Sequence, residues 1–279
     1  MEIQLAEQKI FALNEKIPIE QARLRAMDKR TGLFTSGVNA LLQRIKPEEV
    51  EPLAMQKRWE PFWNVVCLTH LVYDRTRKFN VPVTGPEVQS ITLQEVDYPA
   101  VNRAIAFSAV EHCREENRQQ TFYDGVSGAA QDLGNLLSES RSEVTDLAGF
   151  AAGDSTVVVP PETRASFVMR QALQAMLKPV QADVIFEEVV TVEAIDLYYR
   201  PIFAFEFRWK TKDKTAVAEI DGLTGEMRNA KSLRQQMNIP ISRDALFDIG
   251  ADTVGMIVPG GNIAVKLVKV AIDYNAKKQ

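Results

Sequence analysis

The chain has 279 residues, 46% of them hydrophobic and 25% charged, with a net charge of -4; this is the composition of a globular protein and excludes disorder as its organising state. So mild a charge gives no field for drawing in nucleic acid, and two cysteines are too few for a disulfide framework. The segment Met1–Glu7 has no basic-then-apolar leader, and no apolar run reaches the roughly 18 residues of an ordinary membrane helix, so a cytoplasmic location is expected.

Pro18 opens a helix expected over 19–29, because a proline at a helix start loses no needed N–H. A second helix is expected over 36–45 from the spacing of Val38, Leu41, Leu42 and Ile45, with Pro47 ending it. The β-branched and aromatic run from Trp59 to Tyr73 reads as a strand. The charged group Asp74–Lys78 reads as a turn, Phe79–Val83 as the returning strand, and a third strand falls near 89–96. After Pro99, Val101, Ile105, Ala109 and Cys113 recur every four residues and predict an amphipathic helix. Another is expected within 121–152 on Ala130, Leu133, Leu136 and Leu137. Gly149, Gly153 and Asp154 then suggest a boundary between an N-terminal half, 1–150, and a C-terminal half, 151–279.

The second half opens with a strand at 156–159, followed by a helix over 163–177 with Val168, Ala172, Ala175 and Met176 on its apolar side. A β-prone stretch over 182–209, a turn bearing Lys210, Lys212 and Lys214, and a strand at 215–220 come next. In the tail, 243–278, the first of two apolar runs suits a helix, and the second suits helix or strand equally.

An internal echo appears at an offset of 140, where Trp59 meets Tyr199, Pro61 meets Pro201, Trp63 meets Phe203, and Thr84-Gly85 meets Thr224-Gly225. Either a duplicated module or two unrelated hairpins of similar turn chemistry would produce it. Phe203, Phe205, Phe207 and Trp209 alternate with Ala204, Glu206 and Arg208, which places the aromatics on one sheet face. The preceding helix, 163–177, is the expected cover. The fold class expected is therefore α+β, with small antiparallel sheets, duplicated and each covered by a helix, plus additional helices.

Phe203–Trp209, the charged turn, and Val217–Glu226 with its Asp-x-x-Thr-Gly-Glu ending resemble the closing hairpin of PepSY-type domains. The resemblance covers 163–228, with a weaker copy near 36–96. It implies a helix preceding a short antiparallel sheet, and a role in interaction or inhibition rather than catalysis.

Cys67, His70, His112 and Cys113 are the chain's only cysteines and histidines, and two of each is an acceptable zinc set. A regular strand points 67 and 70 to opposite faces, so only a bulge or turn would bring that pair together. Glu206, Glu219 and Asp221 read as solvated charge balanced by Arg208 and Lys210. No Walker-type loop, dinucleotide fingerprint or HExxH occurs. The leading expectation is a non-enzymatic structural or protein-interaction protein that self-associates as a homo-oligomer, with no nucleic-acid partner. Its interface candidates are Trp59, Trp63, Tyr198 and Tyr199, because aromatics are enriched at interfaces. Two alternatives stand beside it. One is a peripheral membrane adaptor using 243–279, where Lys266, Lys269, Lys277 and Lys278 would meet lipid phosphates. The other is a zinc-dependent or zinc-stabilised protein built on the four cysteines and histidines.

Overall fold

Three strands of unusual length organise the molecule: β3 (Val50–Pro82, 33 residues), β6 (Ala104–Asp124, 21 residues) and β10 (Val184–Trp209, 26 residues). The computed structural model describes residues 2–34, 45–152, 156–230, 242–249 and 266–269. β3 lies between β10 and β6, antiparallel to both. β11 (Lys214–Asp221) and β12 (Met227–Ala230) extend the sheet beyond β10, and β7 (Ala130–Gln131) extends it beyond β6. β1 (Glu2–Leu5) and β2 (Ile10–Leu13) run parallel to β10 along its outer edge, and β9 (Thr156–Val158) runs parallel to β3. β8 (Arg141–Glu143) joins β2, and β13 (Lys266–Lys269) joins β1. The result is one eleven-stranded mixed sheet, with a separate hairpin of β4 (Ser90–Leu93) and β5 (Val96–Pro99) between β3 and β6. This corrects the expected α+β arrangement of small antiparallel sheets. The halves 1–150 and 151–279 contribute to a single continuous sheet.

Three local expectations also change, two of them for identifiable reasons. Val101, Ile105, Ala109 and Cys113 were expected on a helix, but a spacing of four is two pleats as well as one helical turn. The stretch is β6, in which Ile105 is buried and 107, 109, 111 and 113 are less exposed than 106, 108, 110 and 112. The expected turn at Asp74–Lys78 is continuous strand, because its charges find partners across the ladder. Arg75 Nε lies 2.5 Å from Glu111 Oε2, and Asp74 Oδ1 lies 2.7 Å from His112 Nδ1. The helix expected within 121–152 is replaced by β7, β8, a 3-10 turn at Gly134–Ser138 and the short α2 (Leu147–Ala151). The helix expected at 36–45 lies outside the described residues. By contrast, α1 (Ile19–Lys29), α3 (Ala165–Met176), β9, β10 and β11 form where the sequence places them.

The echo has a geometric counterpart. In the β3–β10 ladder Glu60 faces Arg200, and pairs run outward symmetrically from Arg58 opposite Ile202 to Phe62 opposite Tyr198. Residues 140 apart are thus exchanged by a pseudo-two-fold axis through the Glu60–Arg200 pair. Two of the three bulges obey the same axis, with Leu53 the extra residue on β3 and Glu193 the extra residue on β10; the third, at Phe186 of β10, has no mate within β3. Gly125 N donates to Pro61 O at 2.9 Å, and Gly222 N donates to Pro201 O at 2.8 Å. Each glycine belongs to an Asp-Gly-x-Ser/Thr-Gly turn whose aspartate Oδ1 accepts from two following amides: Val126 and Ser127 in one copy, Leu223 and Thr224 in the other. Gly128 and Gly225 adopt φ of 71° and 72°, a region costly for residues with a Cβ. The mate of Thr224-Gly225 is therefore Ser127-Gly128, not Thr84-Gly85. A gapless alignment misses it because the β3–β6 arm and the β4–β5 hairpin are inserted ahead of it.

The two halves also exchange their helices. Ala22 and Ala26 of α1 are buried with Phe203, Phe205 and Phe207, whereas Val168 and Ala172 of α3 are buried with Trp63, Val65 and Cys67. The aromatic face of β10 is thus covered by α1 and not by the helix that precedes it. The loop before each helix also caps the other half's turn: Lys16 N and Ile17 N donate to Gly222 O at 2.9 Å, and Thr163 N donates to Gly125 O at 3.0 Å. Each buried aromatic contributes about 2–3 kcal/mol, so these faces fix register from both sides.

Candidate functional site

On the face opposite the helices, around the pseudo-axis, lies a cluster of charge. Glu219, expected in solvent, is buried and pairs with both Arg58 and Arg228. Arg58 Nε donates to Glu60 Oε1 at 2.9 Å, and Arg200 lies 3.6 Å from Glu60 and 3.7 Å from Asp221. Burial pushes the Glu60 carboxyl up, but Arg228, Arg58 and Arg200 outweigh it and hold the group below its usual range. Three arginines balance three carboxylates, so the cluster ties β3, β10, β11 and β12 together without presenting an uncompensated charge. Nearby, Asp196 Oδ1 accepts from Lys9 N at 3.0 Å, and burial raises its pKa to about 7.

The expected zinc residues are spread along the sheet. Cys67 is buried opposite Val192 and Gln119, whereas Cys113 faces Tyr73, six rungs or roughly 20 Å along β3. His70 lies 3.2 Å from both Glu116 and Glu187, and His112 pairs with Asp74. No group of three or more metal-ligating side chains forms among the described residues. Burial pushes the Cys67 thiol up to about 12, so it stays protonated and unreactive.

Three of the four expected interface aromatics are interior, and Trp59 is half-buried. Trp63, Tyr198 and Tyr199 are buried, with the Trp63 indole N–H donating to Thr163 O at 3.0 Å, and Trp59 packs on Phe150. Trp59, Trp63 and Tyr199 alternate with the charged positions of the pseudo-axis and pack on the helix-bearing face, whereas Tyr198 shares the charged face and stacks on Phe62. In the tail, Leu246 and Phe247 are buried beside α4 (Arg243–Leu246), and Phe247 meets Trp63 edge-on at 5.4 Å. β13 is sheet-paired. These parts of 243–279 belong to the fold, and the remainder lies outside the described residues. No described helix is long and apolar enough to cross a membrane.

An apolar groove of about 540 Å³ lies open on the helix-bearing face, between α1 and the first residues of β3. Leu24 and Met27 form one wall, Leu53 and Met55 the other, and Phe205 and Phe207 the floor. Leu24 is 68% exposed, Leu53 46% and Met55 49%, beside aromatics that are buried. The bulge at Leu53 pushes that side chain to the rim. In sequence, Pro52-Leu53-Ala54-Met55 is an apolar patch before the first aromatic strand, but neither its strand nor its uncovered state shows in its spacing. Compared with known proteins, the chain matches no family model, no curated protein and no solved structure.

Proposed function

We propose that the protein works by binding another protein chain in the groove between α1 and β3 rather than by catalysis. The observation that carries this reading is the exposure of Leu24, Leu53 and Met55 around a floor of Phe205 and Phe207. Contiguous apolar surface of this kind, set in a cleft, is a binding feature of folded proteins. The charged side chains nearest the pseudo-axis support the reading, because they are spent on one another. The hairpin at 203–226 resembles the closing hairpin of PepSY-type domains, and that resemblance implies interaction as well.

An anilinonaphthalene dye tests whether the groove accepts an apolar ligand. Wild type should enhance its fluorescence, and the double variant Leu53→Asp/Met55→Asp should lose most of the enhancement while keeping its far-UV spectrum. Equal enhancement in both proteins, or none in either, overturns the reading.

A further inference from the structure

We infer that the outer edge of β3 beside the groove takes an extended segment of a partner protein, running parallel to β3 with apolar side chains at alternate positions. This rests on the binding role of the groove and names what the groove receives.

The pseudo-axis supplies the template. On β10, residues 189–192 carry β1, with Ile3 beside Val190 and Leu5 beside Val192, all four buried in one cluster. The mates of 189–192 are Glu49, which ends the 3-10 turn Pro47–Glu49, and residues 50–52 of β3. There, the edge facing away from β10 carries no strand among the described residues until β9 pairs with Lys57–Trp59. The mate of Ile195 is Met55. Ile195 is wholly buried and Met55 is half exposed.

The chain's own course explains the difference. Ala12 of β2 lies beside Tyr199 as Val158 of β9 lies beside Trp59, an offset of 146. Moving β1 by that offset gives 148–151, which is α2 instead of a strand. Phe150 of α2 packs on Trp59 and Tyr199 and so serves the centre of the sheet. The edge that β1 covers in one half carries no described strand in the other.

The edge chemistry narrows the occupant. Ala6 N donates to Val192 O at 3.0 Å, and the mate of that acceptor is Pro52 O. Val50 N is already bonded to Pro47 O, and Pro52 has no N–H. The edge therefore offers carbonyls but no donors at these two positions. An incoming strand donates without receiving, and its hold comes chiefly from side chains in the groove. A proline at a sheet edge also discourages indiscriminate strand addition, which favours a segment selected by its apolar pattern.

The probe is a fluorescent peptide with the sequence of residues 2–8, Glu-Ile-Gln-Leu-Ala-Glu-Gln, titrated with the full chain and followed by anisotropy. Wild type should bind it saturably, and Met55→Asp should weaken binding by about tenfold or more. Pro52→Val restores a donor and should tighten binding severalfold, a gain that apolar contact without strand pairing does not produce. A peptide with aspartate in place of its isoleucine and leucine should not bind. No saturable binding to folded wild type overturns the inference. So does binding that ignores Met55→Asp, which would mark exchange with β1 itself, or binding that ignores Pro52→Val. Wild type that self-associates in sedimentation, with Met55→Asp abolishing it, makes a second copy the occupant and also overturns the inference. A dye-binding groove with no peptide binding removes only the strand segment; loss of both removes the groove reading too.

Discussion

The β10–β11 hairpin and the β3–β6 hairpin begin and end alike and differ in between. Both leave the pseudo-axis at a proline, and both return to it at an Asp-Gly turn whose glycine N–H reaches that proline's carbonyl. β10 and β11 are joined by a tight turn at 210–213, whereas β3 runs on to Pro82 and β6 starts only at Ala104. Register is thus set at the axis, where both faces are buried, and length is free at the far end. The same contrast separates buried charge from exposed charge. Arg58, Glu60 and Glu219 sit at the axis and must be compensated, while Arg75, Arg77 and Glu111 line the arm where water shares the work.

The largest effect should come from breaking the axis. Arg58→Ala leaves Glu60 and Glu219 buried with less compensation, which costs about 3–5 kcal/mol in urea unfolding at neutral pH. Arg75→Ala, on the arm, should cost under about 1 kcal/mol. Equal losses would show that the two regions do not differ in the way their burial implies.

Asp196 gives the next effect, with a sign that depends on pH. Its folded pKa is raised to about 7 by burial, so between about pH 4 and 7 the folded state holds a proton that the unfolded state has lost. The stability this group contributes is full below about pH 4 and is lost as pH rises through 7. Asp196→Asn should therefore stabilise the protein at pH 8 by at most about 4 kcal/mol and have little effect at pH 4. Thermal melts at the two pH values check it, and a gain confined to pH 4 would contradict it.

The paired turns should respond alike. Gly128→Ala and Gly225→Ala each place a Cβ at positive φ, a cost of about 1–2 kcal/mol. At Gly225 the added carbon also meets Arg25, whose guanidinium donates to Gly225 O at 2.8 Å, and at Gly128 it meets the Phe167 ring. Losses differing severalfold in chemical denaturation would mean that the two turns are not equivalent parts of the fold.

Much of this pairing is legible in the residues. Pro61 and Pro201, the alternation over 203–209, and the helices at 19–29 and 163–177 follow from local chemistry. Asp124-Gly125-Val126-Ser127-Gly128 against Asp221-Gly222-Leu223-Thr224-Gly225 is also visible once a gap is admitted. The strand at 104–124 is not, because its apolar spacing of four serves helix and strand equally. Nor is the exchange of helices, since Ala22 and Ala26 carry too little apolar surface to announce which face they cover. The groove is least legible of all. Leu53 and Met55 are exposed because no described strand lies on their side of the sheet, and that depends on where β1 and α2 go.

The smallest effect tests how independent the arm's tip is. Among the described residues β4 and β5 pair only with each other, and their ring contact to the arm is Tyr98 against Phe107, 5.8 Å between centroids. Beyond Asp74, where the β10 ladder ends, β6 is the one strand paired with β3 among the described residues. A two-stranded ribbon adds little stability of its own in water. Replacing 83–103 by Asn-Gly, a two-residue hairpin turn suited to the strand twist, should leave the main unfolding midpoint unchanged within error. Hydrogen exchange should quicken near 75–82 and 104–111 and stay slow at 58–66 and 196–204. Faster exchange at the centre would mean that the tip helps hold the axis, and the division between a fixed middle and a free end would then fail.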